Sequence, residues 1–358
     1  MSFDLIEPFL RGPTNDRDWR RLASWIAGAA LLIVVAFYGG RAIFVNAHGP
    51  VRLVVYAFST QEEMLTQSIF PAFEQEWEAE TGRDLTIEGV FGPSGTLAGQ
   101  INLGAPADVA LLSNEQHVNW LKVGRQIQRE AQPAVVSATP MVIVTRPGNP
   151  RGIAGFSDLA QPGLRLLHAD PRSSGAGDWA ILAEYGSALM ESDDQAVARS
   201  QLEAIWHNVQ LLAPSARATL TLFELGAGDA LVTYEQDARL ALQRGVPLEI
   251  VVPPHTIVAQ HMAVTVDANV TAAEQPVTLA FVSYLLSDSG QHAFTQYHLR
   301  PAYGECDLFP PLIEPFAVDD LGGWSRAYTE LVEAEWQTEI EPRLELESAP
   351  WLLDKRGE

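Results

Sequence analysis

The stretch Asp170–Trp179, DPRSSGAGDW, joins a predicted buried strand to a predicted helix. The apolar run Leu164–His168 ahead of it reads as the strand, and the helix is expected to begin near Ala176. The first amides of a helix have no acceptor within the helix, and Gly175 lets a ligand approach them closely. The amides and the dipole of such a helix start favour an anion, whereas on this stretch alone a helix cap by Ser174 is the simpler interpretation.

The composition limits the classes of protein to be considered. The chain has 358 residues and a formal net charge of -22, from 23 Lys and Arg against 45 Asp and Glu. This length predicts two lobes or domains, and the lack of a basic stripe excludes nucleic acid as a partner. The single cysteine, Cys306, excludes an internal disulfide, and the eight His residues are scattered, so neither a metal nor another cofactor is expected.

An uncharged apolar segment, Trp25–Tyr38, lies near the N-terminus and follows three arginines within residues 17–21. Extended to 22–45, the segment is long enough to span a bilayer, but Arg41 interrupts it. The arginine excess predicts that residues 1–21 stay in the cytoplasm, that 22–45 form a transmembrane anchor in the inner membrane, and that the remainder lies on the periplasmic or extracytoplasmic side. A signal peptide cleaved after Ala47 is the alternative, in which case the protein is exported without an anchor.

Beyond this segment, predicted strands and helices alternate. Arg52–Ala57 and Leu85–Phe91 read as strands, and Glu62–Glu80 reads as a helix with apolar residues spaced along one face. The alternation continues to a last predicted helix that begins near Trp324 and is followed by an acidic tail. This alternation of strands and helices predicts parallel sheets covered by helices, as in the α/β class of folds.

Small polar residues follow several of the predicted strands. Ser59 and Thr60 follow the first strand, Ser94 lies in the turn after the second, and Ala216 lies in the turn after a later one. In open α/β sheets, ligands bind outside the carboxyl ends of the strands. Each turn alone is typical of a helix cap, but together with Ser174 these turns predict a convergent cradle of hydroxyls and amides.

Several segments resemble one family, in order and at near-matching spacing. Pro171–Trp179 resembles the SSGGARW signature of the periplasmic sulfate-binding proteins, which are the receptors of sulfate/thiosulfate ABC importers. Segments that resemble the family's GGSG, VRKGNP, SGARGS, GDVLIAWE and FGGW motifs lie at Phe91–Gly95, Val144–Pro150, Ser215–Arg217, Gly228–Glu235 and Val318–Trp324 respectively. The resemblance covers Val51 to Tyr328, and the ordered set is specific for the family, although one motif alone would be weak.

The resemblance implies an α/β protein of the type II periplasmic-binding-protein fold, with two lobes and the ligand in the cleft between them. It implies a binding protein and not an enzyme, with a small tetrahedral oxyanion such as sulfate or thiosulfate as ligand, ABC permease subunits as partners and a monomeric state. Carried over by position and combined with the strand ends, the expected ligand-binding residues are Ser59, Thr60, Ser94, Ser174, Gly175, Ala176, Ala216 and Tyr234.

The resemblance and the strand order also divide the chain. The expected units are a first part of lobe 1 over 49–138, lobe 2 over 139–250, a return to lobe 1 over 251–337 and a C-terminal tail over 338–358. The chain is thus expected to leave lobe 1 near Thr139 and to return near Val251.

Some positions differ from the pattern of the family. Phe58 stands where the family has an aspartate, Tyr234 stands where it has a ligand-contacting tryptophan, and Gly177-Asp178 replaces Ala-Arg. Two other functions are therefore considered. One is a membrane-anchored sensor or structural module that kept the fold without transport. The other is a hydrolase that uses Ser174, although no GxSxG motif surrounds this serine.

Overall fold

The computed structural model describes residues 50–128, 133–304 and 307–348. The transmembrane segment predicted at 22–45 lies outside the described residues, and so does Cys306. Within the described ranges, no helix is both long enough and apolar enough to cross a membrane.

Strands and helices alternate along the described chain. The strands are β1 (Val51–Phe58), β2 (Leu85–Gly92), β3 (Val109–Leu112), β4 (Ala134–Thr145), β5 (Leu166–Ala169), β6 (Val209–Ala213), β7 (Ala230–Tyr234), β8 (Glu249–Val251), β9 (Val258–Thr265) and β10 (Arg300–Pro301). The longer helices are α1 (Phe70–Thr81), α2 (Ser94–Asn102), α3 (Glu115–Val123), α4 (Gly175–Ser192), α5 (Gln195–Trp206), α6 (Ala216–Glu224), α7 (Glu235–Gln243), α8 (Gln275–Leu285) and α9 (Asp288–Gln296). Shorter helical turns are Ser59–Gln61, Glu62–Met64, Leu65–Ile69, Phe156–Ala160 and Val318–Leu321, and a C-terminal helical segment is formed by Trp324–Ala327, Tyr328–Ile340 and Glu341–Ser348.

The strands form two sheets that share the long strand β4. In lobe 1, β1 lies between β2 and β3 and is parallel to both, while β9 pairs antiparallel with β3 and with the first half of β4. In lobe 2, β5 lies between β6 and β7 and is parallel to both, while β7 and β8 pair antiparallel with the second half of β4. Strand β4 changes its partner between Pro140 and Met141, so it carries the chain from one lobe to the other. The predicted two-lobed α/β fold is confirmed.

The prediction of parallel sheets is wrong for the strands that connect the lobes. Strand β9 enters the first sheet from lobe 2, and β4 enters the second sheet from lobe 1. A parallel neighbour requires a crossover connection, usually a helix, over the face of the same sheet. Because these two strands arrive from the other lobe, both run antiparallel to their neighbours and the sheets are mixed.

Helix α4 is held in lobe 2 by a buried polar contact as well as by apolar packing. Its residues from Gly175 to Ala188 are all buried. The carboxylate of Glu184 contacts His168 Nε2 on β5 at 2.7 Å and accepts a hydrogen bond from Trp206 Nε1 on α5 at 2.8 Å. Loss of one partner of such a buried group is strongly destabilising, because the other partners stay buried and unpaired. These contacts fix the direction in which the first turn of α4 points.

The C-terminal helical segment packs on the core of lobe 2, whereas the sequence predicts that residues up to 337 belong to lobe 1. Trp324 lies against Trp179 with 4.6 Å between the ring centroids, and Trp336 lies against Trp206 at 5.7 Å. Aromatic pairs of this kind add to the large apolar area that such side chains bury, which explains the attachment to lobe 2. The helix also continues beyond 337, so the first part of the predicted tail is helical.

Candidate functional site

A small cavity of about 10 Å³ lies between the lobes. It is lined by Phe58, Ser59, Thr60, Pro93, Ser94, Ser113, Ser174, Gly175, Ala176, Ser215, Ala216 and Tyr234. All the residues that the sequence predicts as ligand-binding belong to this set. Pockets for drug-sized ligands measure roughly 300–1,000 Å³, so this cavity suits a much smaller molecule.

Three helices begin at the cavity. Helix α2 begins with Ser94, α4 with Gly175 and α6 with Ala216, each after the turn that follows the carboxyl end of a strand. The first amides of each helix have no acceptor within the helix, and the helix dipole places partial positive charge there. Three such starts around one small cavity favour an anion as its occupant.

Ser174 is both a helix cap and a cavity residue. Its Oγ accepts a hydrogen bond from Ala176 N at 3.3 Å, and the residue is buried. The two interpretations of the sequence are compatible, because a serine hydroxyl that accepts one hydrogen bond still has a proton to donate. Ser215 caps α6 in the same way and accepts a hydrogen bond from Ala218 N at 3.1 Å.

Three buried hydroxyls at the cavity have no hydrogen-bond partner elsewhere in the described part of the chain, although two of them, those of Ser113 and Tyr234, interact with each other. They belong to Thr60, Ser113 and Tyr234. A buried polar group without a partner costs about 1–3 kcal/mol, so such groups usually have a partner in the protein or in ordered water. These hydroxyls are therefore available to a ligand. Burial raises the pKa of Tyr234 well above its usual value, which keeps its hydroxyl protonated as a donor.

Ser113 is a cavity residue that sequence reasoning missed. It directly follows β3, and Asn114 then caps α3 by accepting a hydrogen bond from His117 N at 2.9 Å. The pattern of strand end, small polar residue and helix start is the same as at Ser94 and Ser174. A search for this pattern after every predicted strand is the signal that finds it.

Ser94 is held by two contacts from the start of α3. Its Oγ accepts a hydrogen bond from Ser113 N at 3.0 Å and lies 2.9 Å from His117 Nδ1. Burial lowers the pKa of His117 to about 3, so its ring is neutral near pH 7.

A hydrolase that used Ser174 would need a base at that serine. Among the serines that line the cavity, the one that contacts a histidine is Ser94, and a base with so low a pKa is poorly matched to catalysis near neutral pH.

The two lobes touch each other around the cavity. Gly95 N donates a hydrogen bond to Ser173 O at 2.9 Å, and Trp179 Nε1 donates one to Ser113 O at 2.8 Å. Residues of both lobes thus enclose the cavity. In a site of low dielectric constant, hydrogen bonds to a bound ion are stronger than in water.

Among the described residues, no charged side chain lines the cavity. Two buried carboxyls, those of Asp178 and Asp237, lie close enough to act on the Tyr234 hydroxyl. Burial raises the pKa of Asp178 to about 8 and that of Asp237 to about 7, while Arg217 and Arg244 oppose the rise at Asp237. Both carboxyls are therefore neutral for much of the time near pH 7, which reduces their repulsion of an anion.

Two α/β lobes that enclose a cavity of helix starts and hydroxyls define a two-lobed solute-binding protein. The sequence matches the family described as bacterial extracellular solute-binding protein over residues 53–300, and the chain belongs to this family. The description of the family places its members outside the cytoplasm and gives binding as their activity.

The individual relatives identify a narrower group within this family. The sulfate-binding protein of Synechococcus elongatus is 29% identical over 330 residues, which cover 87% of this chain and 94% of the relative. The sulfate-binding protein of Escherichia coli is 32% identical over 275 residues, which cover 72% of this chain and 83% of the relative. Among solved structures, the sulfate-binding protein SubI from Mycobacterium tuberculosis is similar with a TM-score of 0.72 and 25% identity, over 78% of this chain and 99% of that chain. The resemblance to the periplasmic sulfate-binding proteins is thereby confirmed.

Proposed function

We propose that this chain is the extracytoplasmic solute-binding protein of an ABC importer and that it binds a small tetrahedral oxyanion, sulfate or thiosulfate, between its lobes. The observation that carries the proposal is the convergence of three helix starts, at Ser94, Gly175 and Ala216, on one enclosed cavity. The relatives that are named sulfate-binding proteins support the same ligand.

Neutral donors are sufficient to hold such an anion in this cavity. Each hydrogen bond to a charged acceptor contributes about 1.5–3 kcal/mol net. Amides at the helix starts and hydroxyls from both lobes supply several of these bonds. The proposed ligand contacts are the predicted residues Ser59, Thr60, Ser94, Ser174, Gly175, Ala176, Ala216 and Tyr234, with Ser113 added.

Two departures from the family's pattern at the cavity, Phe58 and Tyr234, are compatible with this ligand. The buried Tyr234 hydroxyl can donate a hydrogen bond where the family has a tryptophan. Phe58 lines the cavity beside it, with 6.3 Å between the two ring centroids. An apolar wall in place of an aspartate removes a negative charge from the site, which favours a dianion.

We also propose that the chain crosses between the lobes near 139 and 251 and that it acts as a monomer beside the permease subunits.

We propose further that residues 22–45 anchor the chain in the membrane. The anchor predicts that washed membranes retain the protein and that N-terminal sequencing finds the residues before Ala47 still attached. A mature protein that begins at His48 contradicts the anchor and supports a cleaved signal peptide.

The substitution Ser174→Ala is expected to weaken sulfate binding by about ten- to a hundredfold. It removes one hydroxyl donor to the anion, and a hydrogen bond to a charged group is worth about 1.5–3 kcal/mol. Calorimetric titration of the extracytoplasmic part with sulfate measures the effect. The titration is made well below the unfolding temperature, because loss of the cap also costs about 1 kcal/mol of stability.

The matched control is Ser173→Ala. Ser173 is the neighbouring residue, but its Oγ donates to Pro214 O at 3.0 Å and the residue does not line the cavity. Its substitution is expected to change the sulfate affinity by no more than about twofold. Equal losses for the two variants would mean that the Ser174 hydroxyl does not contact the anion.

A further inference from the structure

Asp178 is a buried carboxyl that joins the two lobes behind the cavity. It lies in the first turn of α4 and is completely buried. Its Oδ2 accepts a hydrogen bond from Asn114 Nδ2 at 2.9 Å and lies 3.5 Å from His117 Nε2, and both of these partners belong to lobe 1. Within the described residues, Oδ1 of Asp178 and Nε2 of His117 have no hydrogen-bond partner.

From these contacts, and on the basis of the function proposed above, we propose that Asp178 joins the lobes in its protonated form, so that closure over the anion takes up one proton. Asp178 is then a positioning residue, since it acts on the ligand through the lobe contact and does not itself line the cavity.

The groups that face Asp178 give it no compensating cation. Asn114 and His117 approach from the start of α3, and burial lowers the pKa of His117 to about 3, so its ring is neutral. Tyr234 at the end of β7 and Tyr328 in the C-terminal helical segment are the other titratable groups that it affects, and burial raises the pKa of both. The start of α4 favours a negative charge, but a bound anion competes for the same helix dipole.

The arrangement also assigns the hydrogen-bonding roles at Ser94. A protonated Oδ2 on Asp178 points its proton towards His117 Nε2, which makes that nitrogen an acceptor. The neutral ring then carries its proton on Nδ1 and donates to Ser94 Oγ, 2.9 Å away. Ser94 accepts this bond, so its own proton is directed to the anion.

The direction of the pH effect follows from the pKa of Asp178 in the two forms. Burial raises this pKa to about 8 in the closed form, whereas a solvent-exposed aspartate titrates near about 3.9. The closed form therefore binds the extra proton, and closure is most favoured at low pH. Sulfate affinity is expected to fall by up to about tenfold per pH unit between about pH 4 and about pH 8 and then to level off.

A second buried carboxyl must be separated from this effect. The pKa of Asp237 is raised to about 7 by burial, and this carboxyl faces Arg217 and Arg244. Proton uptake by Asp237 on sulfate binding is the same in the wild type and in a variant that changes Asp178 alone. The difference between such a variant and the wild type isolates the contribution of Asp178.

The test is calorimetric titration with sulfate near pH 7 in buffers of different ionisation enthalpy, which counts the protons taken up on binding. Asp178→Asn keeps the size and the contact with Asn114 but cannot titrate. It is expected to take up about one proton fewer than the wild type. Asp193→Asn is the matched control, since Asp193 is exposed at the other end of α4, and it is expected to behave as the wild type does.

Each outcome has a separate meaning. If wild type binds neither sulfate nor thiosulfate, the proposed function is wrong. If wild type binds sulfate and D178N takes up the same number of protons, the proton-linked role of Asp178 is overturned while the proposed function stands. Should D178N not fold, the wild type still tests the inference, because a sulfate affinity that stays constant from about pH 5 to about pH 7 overturns it.

Discussion

The substitution Ser174→Asp is expected to abolish sulfate binding. Ser174 lines the cavity at the start of α4, so an aspartate there places a carboxylate against the bound dianion. Two like charges 4 Å apart repel each other by about 4 kcal/mol at an effective dielectric constant of about 20, which corresponds to about a thousandfold in affinity. Aspartate is a good helix cap, so the fold is expected to be retained. Calorimetric titration with sulfate measures the loss, and a thermal unfolding curve checks the fold.

The variant Ser174→Asn separates the effect of charge from that of size. Asparagine has nearly the shape of aspartate and also caps helices, but it carries no charge. Weakened but measurable sulfate binding is therefore expected for S174N and none for S174D. If S174D binds sulfate, thiosulfate and molybdate as the wild type does, the anion does not lie at the start of α4. The membrane-anchored sensor or structural module then becomes the better interpretation.

The cavity could be predicted from the sequence because it is built from a repeated local pattern. At Ser94, Ser174 and Ala216, a strand ends, a short turn of one to five residues follows, and a helix begins. The carboxyl ends of neighbouring parallel strands lie at one edge of a sheet, so turns that are far apart in the chain meet in space. The same reasoning gives Ser59, Thr60 and Ala176, whereas Tyr234 follows from the resemblance to the family.

The residues behind the cavity could not be predicted in the same way. Asp178 was identified only as a departure from the family's motif, because its partner Asn114 lies 64 residues earlier in the chain and in the other lobe. Nothing in the local sequence indicates which side chain will face a carboxyl across a lobe contact. The burial that raises the pKa of Asp178 is likewise a property of the closed pair of lobes.

The direction of β4 and β9 and the packing of the C-terminal helical segment on lobe 2 could not be predicted either, because both depend on contacts between distant parts of the chain. The apolar runs of β4 and β9 indicate strands, but a strand's direction relative to its neighbours depends on which lobe it arrives from. Trp336 lies in the helix that the sequence predicts from Trp324 onward. Its packing against Trp206 of lobe 2 follows from the shape of that core and not from helical periodicity.

The substitution Gly175→Ala is expected to weaken sulfate binding by at least about a hundredfold. A methyl group at Gly175 would lie 1.9 Å from Ser113 Oγ and 2.8 Å from Asn114 Nδ2, and both atoms belong to lobe 1. The Ser113 hydroxyl can turn away, but the Asn114 amide is held by Asp178 at 2.9 Å, so the lobes must separate. A cost of about 3 kcal/mol, at the upper end for overpacking, corresponds to this loss of affinity.

The matched control is Gly99→Ala, because Gly99 lies within α2 and a methyl group there meets no atom within 4 Å. It is expected to leave sulfate affinity unchanged and to raise stability slightly, since alanine is the better helix former. In solution scattering, sulfate is expected to compact the wild type and G99A but not G175A. The unfolding temperature of G175A is not expected to fall, because the open lobes accommodate the methyl group. Wild-type affinity for sulfate in G175A, with normal compaction, would mean that the start of α4 does not approach lobe 1 when the ligand binds. The role proposed for the contact between Asn114 and Asp178 across the lobes would then also be wrong.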